Sequence, residues 1–76
     1  MRVEAKYFGM VAEAIGKDSE QFELSFSKPE EALTEFIKAY PVIKDMTIKV
    51  AVNQQLNANE IKENDEVALL PPFAGG

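Results

Sequence analysis

An apolar segment near the end of the sequence runs directly into two adjacent prolines. The segment comprises residues 67–70, and the turn-like residues 63–65 precede it. This pattern predicts a strand that is largely buried in a sheet. Pro71 and Pro72 end that strand, because proline donates no backbone hydrogen bond to a sheet and favours extended geometry in the residue before it. We therefore predict that residues 71–76 leave the sheet as an extended, flexible tail.

The predicted tail finishes with two glycines, Gly75 and Gly76. Glycine has no side chain, so these residues can pass through a channel too narrow for a residue with a Cβ. A pair of glycines also occurs by chance in frayed termini. Because a stiff exit from a buried strand precedes this pair, we favour threading of the terminal carboxylate through a narrow passage.

The composition excludes most kinds of side-chain catalysis. The 76 residues are enough for one domain, residues 1–76, with a single small core. The sequence contains no cysteine and no histidine, and so provides no thiol nucleophile, no imidazole base and no ordinary zinc site. We expect a protein that is not an enzyme on its own and that binds no metal.

The charge of the chain restricts its partners and its location. A net charge of −5 disfavours nucleic acid and anionic membranes and favours a basic partner surface. No apolar run is long enough to span a bilayer, and no basic segment followed by an apolar one opens the sequence. We expect a cytoplasmic protein.

The first part of the sequence predicts two antiparallel strands joined through a short helix. Alternation of apolar and polar residues marks strands in residues 1–8 and 21–26. Between them, the alanine-rich residues 9–15 predict one or two helical turns that end at Gly16. The core-facing sets are Val3, Ala5 and Tyr7 in the first strand and Phe22, Leu24 and Phe26 in the second.

A longer helix is predicted in residues 27–40. Ser27 as the N-cap and Glu30 three residues later form a capping box, and Pro29 lies in the first turn, where its missing N–H costs little. Glu35 and Lys38 are expected to face water, opposite an apolar stripe that packs on the sheet. The stripe consists of Leu33, Phe36, Ile37 and Tyr40.

The rest of the sequence completes a sheet. Residues 48–52 alternate as a third strand, and residues 55–57 predict a brief strand before the final one at residues 67–70. This order of elements predicts an α+β domain. We expect a mixed sheet of about five strands, covered on one face by the long helix plus a short helix, with the other face open.

Several apolar residues fall on the open face of the predicted sheet. Phe8, Ala51, Ala68 and Leu70 are out of phase with the buried positions of their strands, and Leu56 lies in the brief strand nearby. Such residues at one end of a sheet, beside an extended tail, predict a protein interface. The expected partner-binding residues are Phe8, Leu56 and Leu70 together with Pro71, Pro72, Phe73 and Ala74.

Four segments together carry a resemblance to a known family. They are Tyr7-Phe8, Ala51-Val52-Asn53-Gln54, Asn64-Asp65-Glu66-Val67-Ala68 and Pro71-Pro72-Phe73-Ala74-Gly75-Gly76. The chain resembles, over essentially its whole length, the small subunits of molybdopterin synthase, which are ubiquitin-like sulfur carriers. It departs from them at Asn64, where the family usually has glycine, at Ala12, where relatives often have arginine, and at Leu69-Leu70, where they often have two phenylalanines. Asparagine tolerates positive φ, so the turn at Asn64 is expected to survive.

The resemblance implies a β-grasp fold and a function. In this family an ATP-dependent activating enzyme converts the terminal carboxylate, here that of Gly76, into an acyl-adenylate, and a sulfur donor protein turns it into a thiocarboxylate. The carrier docks on the large subunit of molybdopterin synthase, in a heterotetramer, and its sulfur passes to cyclic pyranopterin monophosphate. The resemblance thus implies that Gly75 and Gly76 form the reactive end, that no cofactor is bound permanently, and that catalytic residues lie on the large subunit.

Two alternatives begin with the same adenylate chemistry. One is a related sulfur carrier for thiazole or tungsten-cofactor synthesis or another thiolation pathway, although thiazole carriers are usually shorter and lack the proline pair. The other is a ubiquitin-like modifier whose Gly76 is joined to lysines of target proteins. The sequence leaves both open, as it does the sulfur donor and the stoichiometry.

Overall fold

The computed structural model describes residues 1–72 and has the α+β architecture expected from the sequence. Its elements are β1 (Arg2–Tyr7), α1 (Gly9–Ile15), β2 (Ser19–Glu23), α2 (Pro29–Ala39), a short 3₁₀ helix (Pro41–Ile43), β3 (Lys49–Val52) and β4 (Glu66–Leu70). Pro71 and Pro72 follow β4 outside any regular element. The remainder of the predicted tail, residues 73–76, lies outside the described residues.

The strands of the described chain form one mixed sheet in the order β2-β1-β4-β3. Strand β1 pairs antiparallel with β2, as predicted, and parallel with β4, while β4 pairs antiparallel with β3. Parallel strands point the same way, so β1 and β4 end at the same edge of the sheet, with Tyr7 beside Leu69. The topology therefore brings the residues after β1 next to the residues after β4.

Helix α2 covers one face of the sheet, and the core lies between them. Val3, Ala5 and Tyr7 are buried there, as their alternation predicts. The largest fully buried side chain, Phe36 of α2, stacks on Phe22 with ring centroids 4.2 Å apart. Burial of a side chain of this size stabilises the fold by roughly 1.5 to 3 kcal/mol. The opposite side of the sheet is called the open face below.

Strand β2 begins and ends earlier than predicted. It spans Ser19–Glu23 rather than residues 21–26, and Phe26 is 48% exposed instead of facing the core. The chain leaves the sheet because the Glu35 carboxylate accepts hydrogen bonds of 2.9 to 3.0 Å from the backbone N–H groups of Ser25 and Phe26. Glu35, expected only to face water, thus ties α2 to the end of β2.

The predicted capping box at the start of the long helix is wrong. Helix α2 begins at Pro29, with Lys28 as the N-cap and no side-chain capping bond. The Ser27 carbonyl oxygen accepts a hydrogen bond from the Ile61 N–H at 2.6 Å, which holds Ser27 outside the helix. Pro29 and the acidic Glu30 still favour a helix start at this point.

The brief strand predicted at residues 55–57 is reduced to one bridge between Val52 and Gln55. Between these residues, Asn53 and Gln54 have φ of 50° and 70°. Positive φ at both central positions is what a type I′ hairpin turn requires. The bonds of this turn are Val52 N–H to Gln55 O at 2.9 Å and Gln55 N–H to Val52 O at 3.0 Å. The described sheet consequently has four strands rather than about five.

Two further turns agree with the sequence. Gly16 ends α1 in the left-handed region, with φ of 91°, and its N–H donates to the Ala12 carbonyl oxygen at 2.8 Å. Asn64 has φ of 71°, and its N–H donates to the Arg2 carbonyl oxygen at 2.8 Å. Asparagine therefore preserves the turn in the position at which the resembling family usually has glycine.

Candidate functional site

The candidate site is the edge of the sheet at which the chain leaves β4, called the exit end below. The Phe8 N–H donates to the Leu69 carbonyl oxygen at 3.3 Å, which extends the pairing of β1 with β4 by one residue. Phe8 and Leu70 each follow a buried residue, Tyr7 and Leu69, so both lie towards the open face. Phe8 is 45% exposed and Leu70 is half-buried. The structure thus brings these two predicted partner-binding residues together.

Pro71 packs against the start of α1. A Cβ on Gly9 would lie 3.0 Å from Pro71 Cγ, and Gly9 has φ of +53°. Both the contact and the backbone conformation favour glycine at this position. Pro71 is half-buried, whereas Pro72 is exposed. The start of α1 therefore holds Pro71 in place where β4 ends.

Leu56 lies on another part of the surface. It follows the tight turn that reverses the chain onto the outer edge of β3, and it is 56% exposed. The cleft beside it is lined by side chains that include Leu33, Ile48 and Val50. Phe8 lines a different depression, formed with residues of α1 and the start of β2. The structure does not join Leu56 to Phe8 and Leu70 in one patch, and its role in partner binding stays a prediction.

Ala51 and Ala68 lie directly opposite each other on β3 and β4. Neither belongs to the core cluster beneath α2, which agrees with their predicted place on the open face. Their predicted exposure is wrong, because each is only 4% exposed. A methyl group rises little above the backbone and is shielded by longer neighbours, such as Lys6 beside Ala68. These alanines give the open face a flat surface next to Phe8 and Leu70.

A polar cluster on the covered face links β1 to β2 and to the end of α2. The hydroxyl groups of Tyr7 and Tyr40 each donate to Glu20 Oε2 at 2.6 Å, and Lys17 Nζ donates to Glu20 Oε1 at 3.0 Å. This cluster was not predicted from the sequence. The sequence does contain an indication of it. Glu20 precedes the core-facing Phe22 by two residues, so in a strand its charged side chain would lie on the core-facing side.

The same hydrogen bonds determine how the cluster titrates. Burial, followed by the bond to Glu20, raises the pKa of Tyr7 far above its usual range, and the bond to Glu20, followed by burial, raises that of Tyr40. Burial acts to raise the pKa of the Glu20 carboxyl, but bonds from Tyr40, Tyr7 and Lys17 together outweigh it and lower that pKa. At neutral pH the cluster therefore holds one carboxylate between two neutral phenols.

The predicted reactive residues Gly75 and Gly76, and the predicted contact residues Phe73 and Ala74, lie outside the described residues. Within residues 1–72, no group of three or more acidic, cysteine or histidine side chains is arranged to hold a metal ion. None of the helices in that range has the length and apolar character needed to cross a membrane.

Two comparisons of the sequence with known proteins agree with each other. Residues 5–76 match the ThiS family. The molybdopterin synthase sulfur carrier subunit of Chlamydomonas reinhardtii is 31% identical over 83 aligned residues, which cover 100% of both chains. The alignment therefore includes the Gly-Gly end.

Solved structures share the fold. A Pyrococcus furiosus protein described as molybdopterin converting factor, subunit 1, has a TM-score of 0.84 at 24% identity, covering 96% of this chain and 99% of its own. SAMP1 of Haloferax volcanii has a TM-score of 0.80 at 25% identity, covering 100% of both. Subunits 1 and 2 of the Helicobacter pylori molybdopterin-converting factor form a complex, whose matching chain has a TM-score of 0.66 at 24% identity and full coverage of both. The fold is the ubiquitin-like β-grasp, and the chain belongs to the ThiS family.

Proposed function

We propose that this protein is the sulfur carrier of molybdenum cofactor biosynthesis and that Gly76 carries the sulfur. The observation that carries the proposal is the full-length similarity to a molybdopterin synthase sulfur carrier subunit. The exit end supports it, because Pro71, the first residue after β4, packs against the start of α1 beside the exposed Phe8. A carrier that delivers its end into another protein needs such an arrangement.

The proposed chemistry takes place at the terminal carboxylate. A carboxylate is a poor electrophile because its leaving group would be oxide. An activating enzyme would use ATP to form an acyl-adenylate, releasing pyrophosphate. The terminal sulfur of a persulfide on a sulfur donor protein would then displace AMP, and a thiol reductant would cleave the S–S bond to the donor to leave a thiocarboxylate. The terminal sulfur is a far better nucleophile than oxygen at neutral pH. None of these steps needs a cysteine or a histidine from this chain, which has neither.

The sulfur would be delivered in a complex with the large subunit of molybdopterin synthase. The relative from Helicobacter pylori, which forms a complex of subunits 1 and 2, supports a partner of this kind. Phe8 and Leu70 would form the apolar centre of the contact, and Pro71 and Pro72 would lead the tail into the large subunit's active site. That subunit would provide the catalytic residues that act on cyclic pyranopterin monophosphate.

A second candidate function is protein modification. It is favoured by the similarity to SAMP1 of Haloferax volcanii, a small archaeal modifier protein that is 25% identical over the full length of both chains. A modifier would form the same adenylate at Gly76 but pass it to a lysine amine, giving an isopeptide bond. The two functions differ in the product at Gly76, a thiocarboxylate or an isopeptide.

The test of the proposed function is a reconstituted reaction. Thiocarboxylated protein is mixed with the large subunit and cyclic pyranopterin monophosphate, and formation of the dithiolene product is followed. Deletion of Gly76, or addition of one residue after it, should abolish the activity and leave the melting temperature unchanged. Gly75→Val should act in the same direction, because a β-branched side chain would obstruct the channel. Full activity of the protein without Gly76 would exclude the proposed function.

A further inference from the structure

Charged residues on the open face are segregated along the strands. Near the exit end, Lys6 lies beside Ala68, and Lys49 lies opposite Leu70. Further from the exit end, Glu4 of β1 lies directly beside Glu66 of β4. Two lysines therefore flank the apolar pair, whereas the far end carries Glu4, Glu66 and the oppositely charged neighbours Arg2 and Glu23.

Lys6, Lys49, Glu4 and Glu66 have no ionic partners among residues 1–72. The ion pairs within that range are the N-terminus with Glu23 and Lys17 with Glu20. Glu4 and Glu66 are neighbours of the same sign, and like charges side by side repel each other. Within the described chain neither carboxylate forms an ion pair, although Arg2 and Lys6 lie two residues from Glu4 on the same face of β1.

The two lysines lie within the area that a protein docked on Phe8 and Leu70 would cover. Lys6 precedes Phe8 by two residues on the same face of β1, a separation of about 7 Å. Lys49 and Leu70 are cross-strand neighbours, whose Cα atoms lie about 5 Å apart in such a pair. Removing an ammonium group from water is costly unless a carboxylate pairs with it. A partner that buries Phe8 and Leu70 must therefore supply carboxylates next to them.

We propose that the open face binds an acidic patch of the large subunit at Lys6 and Lys49, and a basic patch of it at Glu4 and Glu66. This proposal rests on the proposed function and adds the chemistry of the partner's surface to it. Two patches of opposite sign fix the orientation of docking, because a partner turned end to end would place like charges together. The tail would then always meet the same part of the large subunit.

The test measures binding of the large subunit by calorimetry at low and at high salt. Lys6→Glu and Lys49→Glu should each weaken binding about tenfold or more, and Lys6→Gln and Lys49→Gln should weaken it in the same direction by less. Lys38→Glu is the matched control, because Lys38 is exposed on α2 and the change in net charge is identical. It should change the affinity by less than about twofold at high salt.

The acidic end is tested in the same way. Glu4→Lys should weaken binding, whereas Glu31→Lys, an exposed position on α2, should not. Melting temperatures of all variants are compared, so that only folded protein enters the comparison. If the unchanged protein does not bind the large subunit, the proposed function fails and this inference fails with it. If the unchanged protein binds and Lys6→Glu and Lys49→Glu bind as well as Lys38→Glu, the inference alone is wrong.

Discussion

Gly9 and Pro71 approach each other so closely that a Cβ on Gly9 would lie 3.0 Å from Pro71 Cγ. Gly9 is the first residue of α1, and Pro71 is the first residue after β4. The parallel pairing of β1 with β4 makes this contact, because it places the ends of both strands at one edge. The geometry of the exit end thus depends on residues from opposite ends of the sequence.

Gly9→Ala should lower the free energy of unfolding more than Gly16→Ala does. Each glycine has positive φ, which costs another residue about 1 to 2 kcal/mol. Only at Gly9 would the new Cβ also meet Pro71, since nothing lies within 4 Å of a Cβ on Gly16. Denaturant unfolding measures both values.

The contribution of the proline ring can be isolated with a double variant. Gly9→Ala combined with Pro71→Ala should lower the free energy of unfolding by less than the sum of the two single changes. The effects of substitutions at residues in contact are generally not additive. Strict additivity would contradict the packing described for the exit end.

Phe8→Ala and Leu70→Ala should each keep near-native thermal stability but lose affinity for the large subunit. Truncation of an apolar residue at the centre of an interface typically costs about 2 kcal/mol, which corresponds to well over tenfold in affinity. Phe26→Ala is the matched control, because Phe26 is 48% exposed and Phe8 45% exposed. Calorimetry of binding and a thermal melt of each variant test this. A large loss of melting temperature with unchanged affinity would assign Phe8 and Leu70 to the core instead.

Protonation of Glu20 should destabilise the fold in acid. Its hydrogen bonds lower its pKa in the folded state, so the unfolded chain binds this proton first as the pH falls. The stabilisation that ionised Glu20 gives the folded state is complete above the ordinary glutamate pKa of about 4.3. It is lost as the pH falls through the lower pKa that Glu20 has in the folded protein. Glu20→Gln should therefore lower the free energy of unfolding most at neutral pH and least in acid, below the lowered pKa of Glu20.

Tyr40→Phe removes one of the bonds that lower the Glu20 pKa and should weaken the same pH dependence in part. Urea unfolding at a series of pH values measures both variants. If the free energy of unfolding of Glu20→Gln differs from that of the unchanged protein by the same amount at every pH, this role of the cluster is excluded.

Gln54→Gly should stabilise the protein by about 0.5 to 1 kcal/mol. Gln54 has φ of 70°, a conformation that costs most side chains free energy and that glycine adopts readily. Gln55→Gly is the control, because Gln55 is not among the residues with positive φ and pairs with Val52. Gln55→Gly should lower the free energy of unfolding by a similar amount. A loss of stability in Gln54→Gly would contradict the turn described for Asn53 and Gln54.

Local patterns predicted the elements that depend on neighbouring residues. The alternation of β1, the end of α1 at Gly16 and the turn at Asn64 all follow from such patterns. Two of the predictions that failed, the end of β2 and the start of α2, depend on contacts between distant residues. Glu35 binds the backbone after β2, and the Ser27 carbonyl binds Ile61, so that neither the end of β2 nor the start of α2 could be found from its own residues.

The candidate site shows the same limit. Strand parity placed Phe8 and Leu70 on the open face, and the parallel pairing of β1 and β4 makes them neighbours. Leu56 was grouped with them because the sequence showed apolar residues but not the direction of the chain after Asn53 and Gln54. Positive φ at both residues turns that segment onto the outer edge of β3.

The most direct test of the central claim is the intact mass of the protein purified from its own cells under non-reducing, thiol-free conditions. We predict a fraction in which one oxygen is replaced by one sulfur, with fragmentation placing the change at Gly76. The fraction should disappear in the absence of the activating enzyme. A protein found only unmodified, or with Gly76 joined to lysines of other proteins, would contradict the account of this chain as a sulfur carrier.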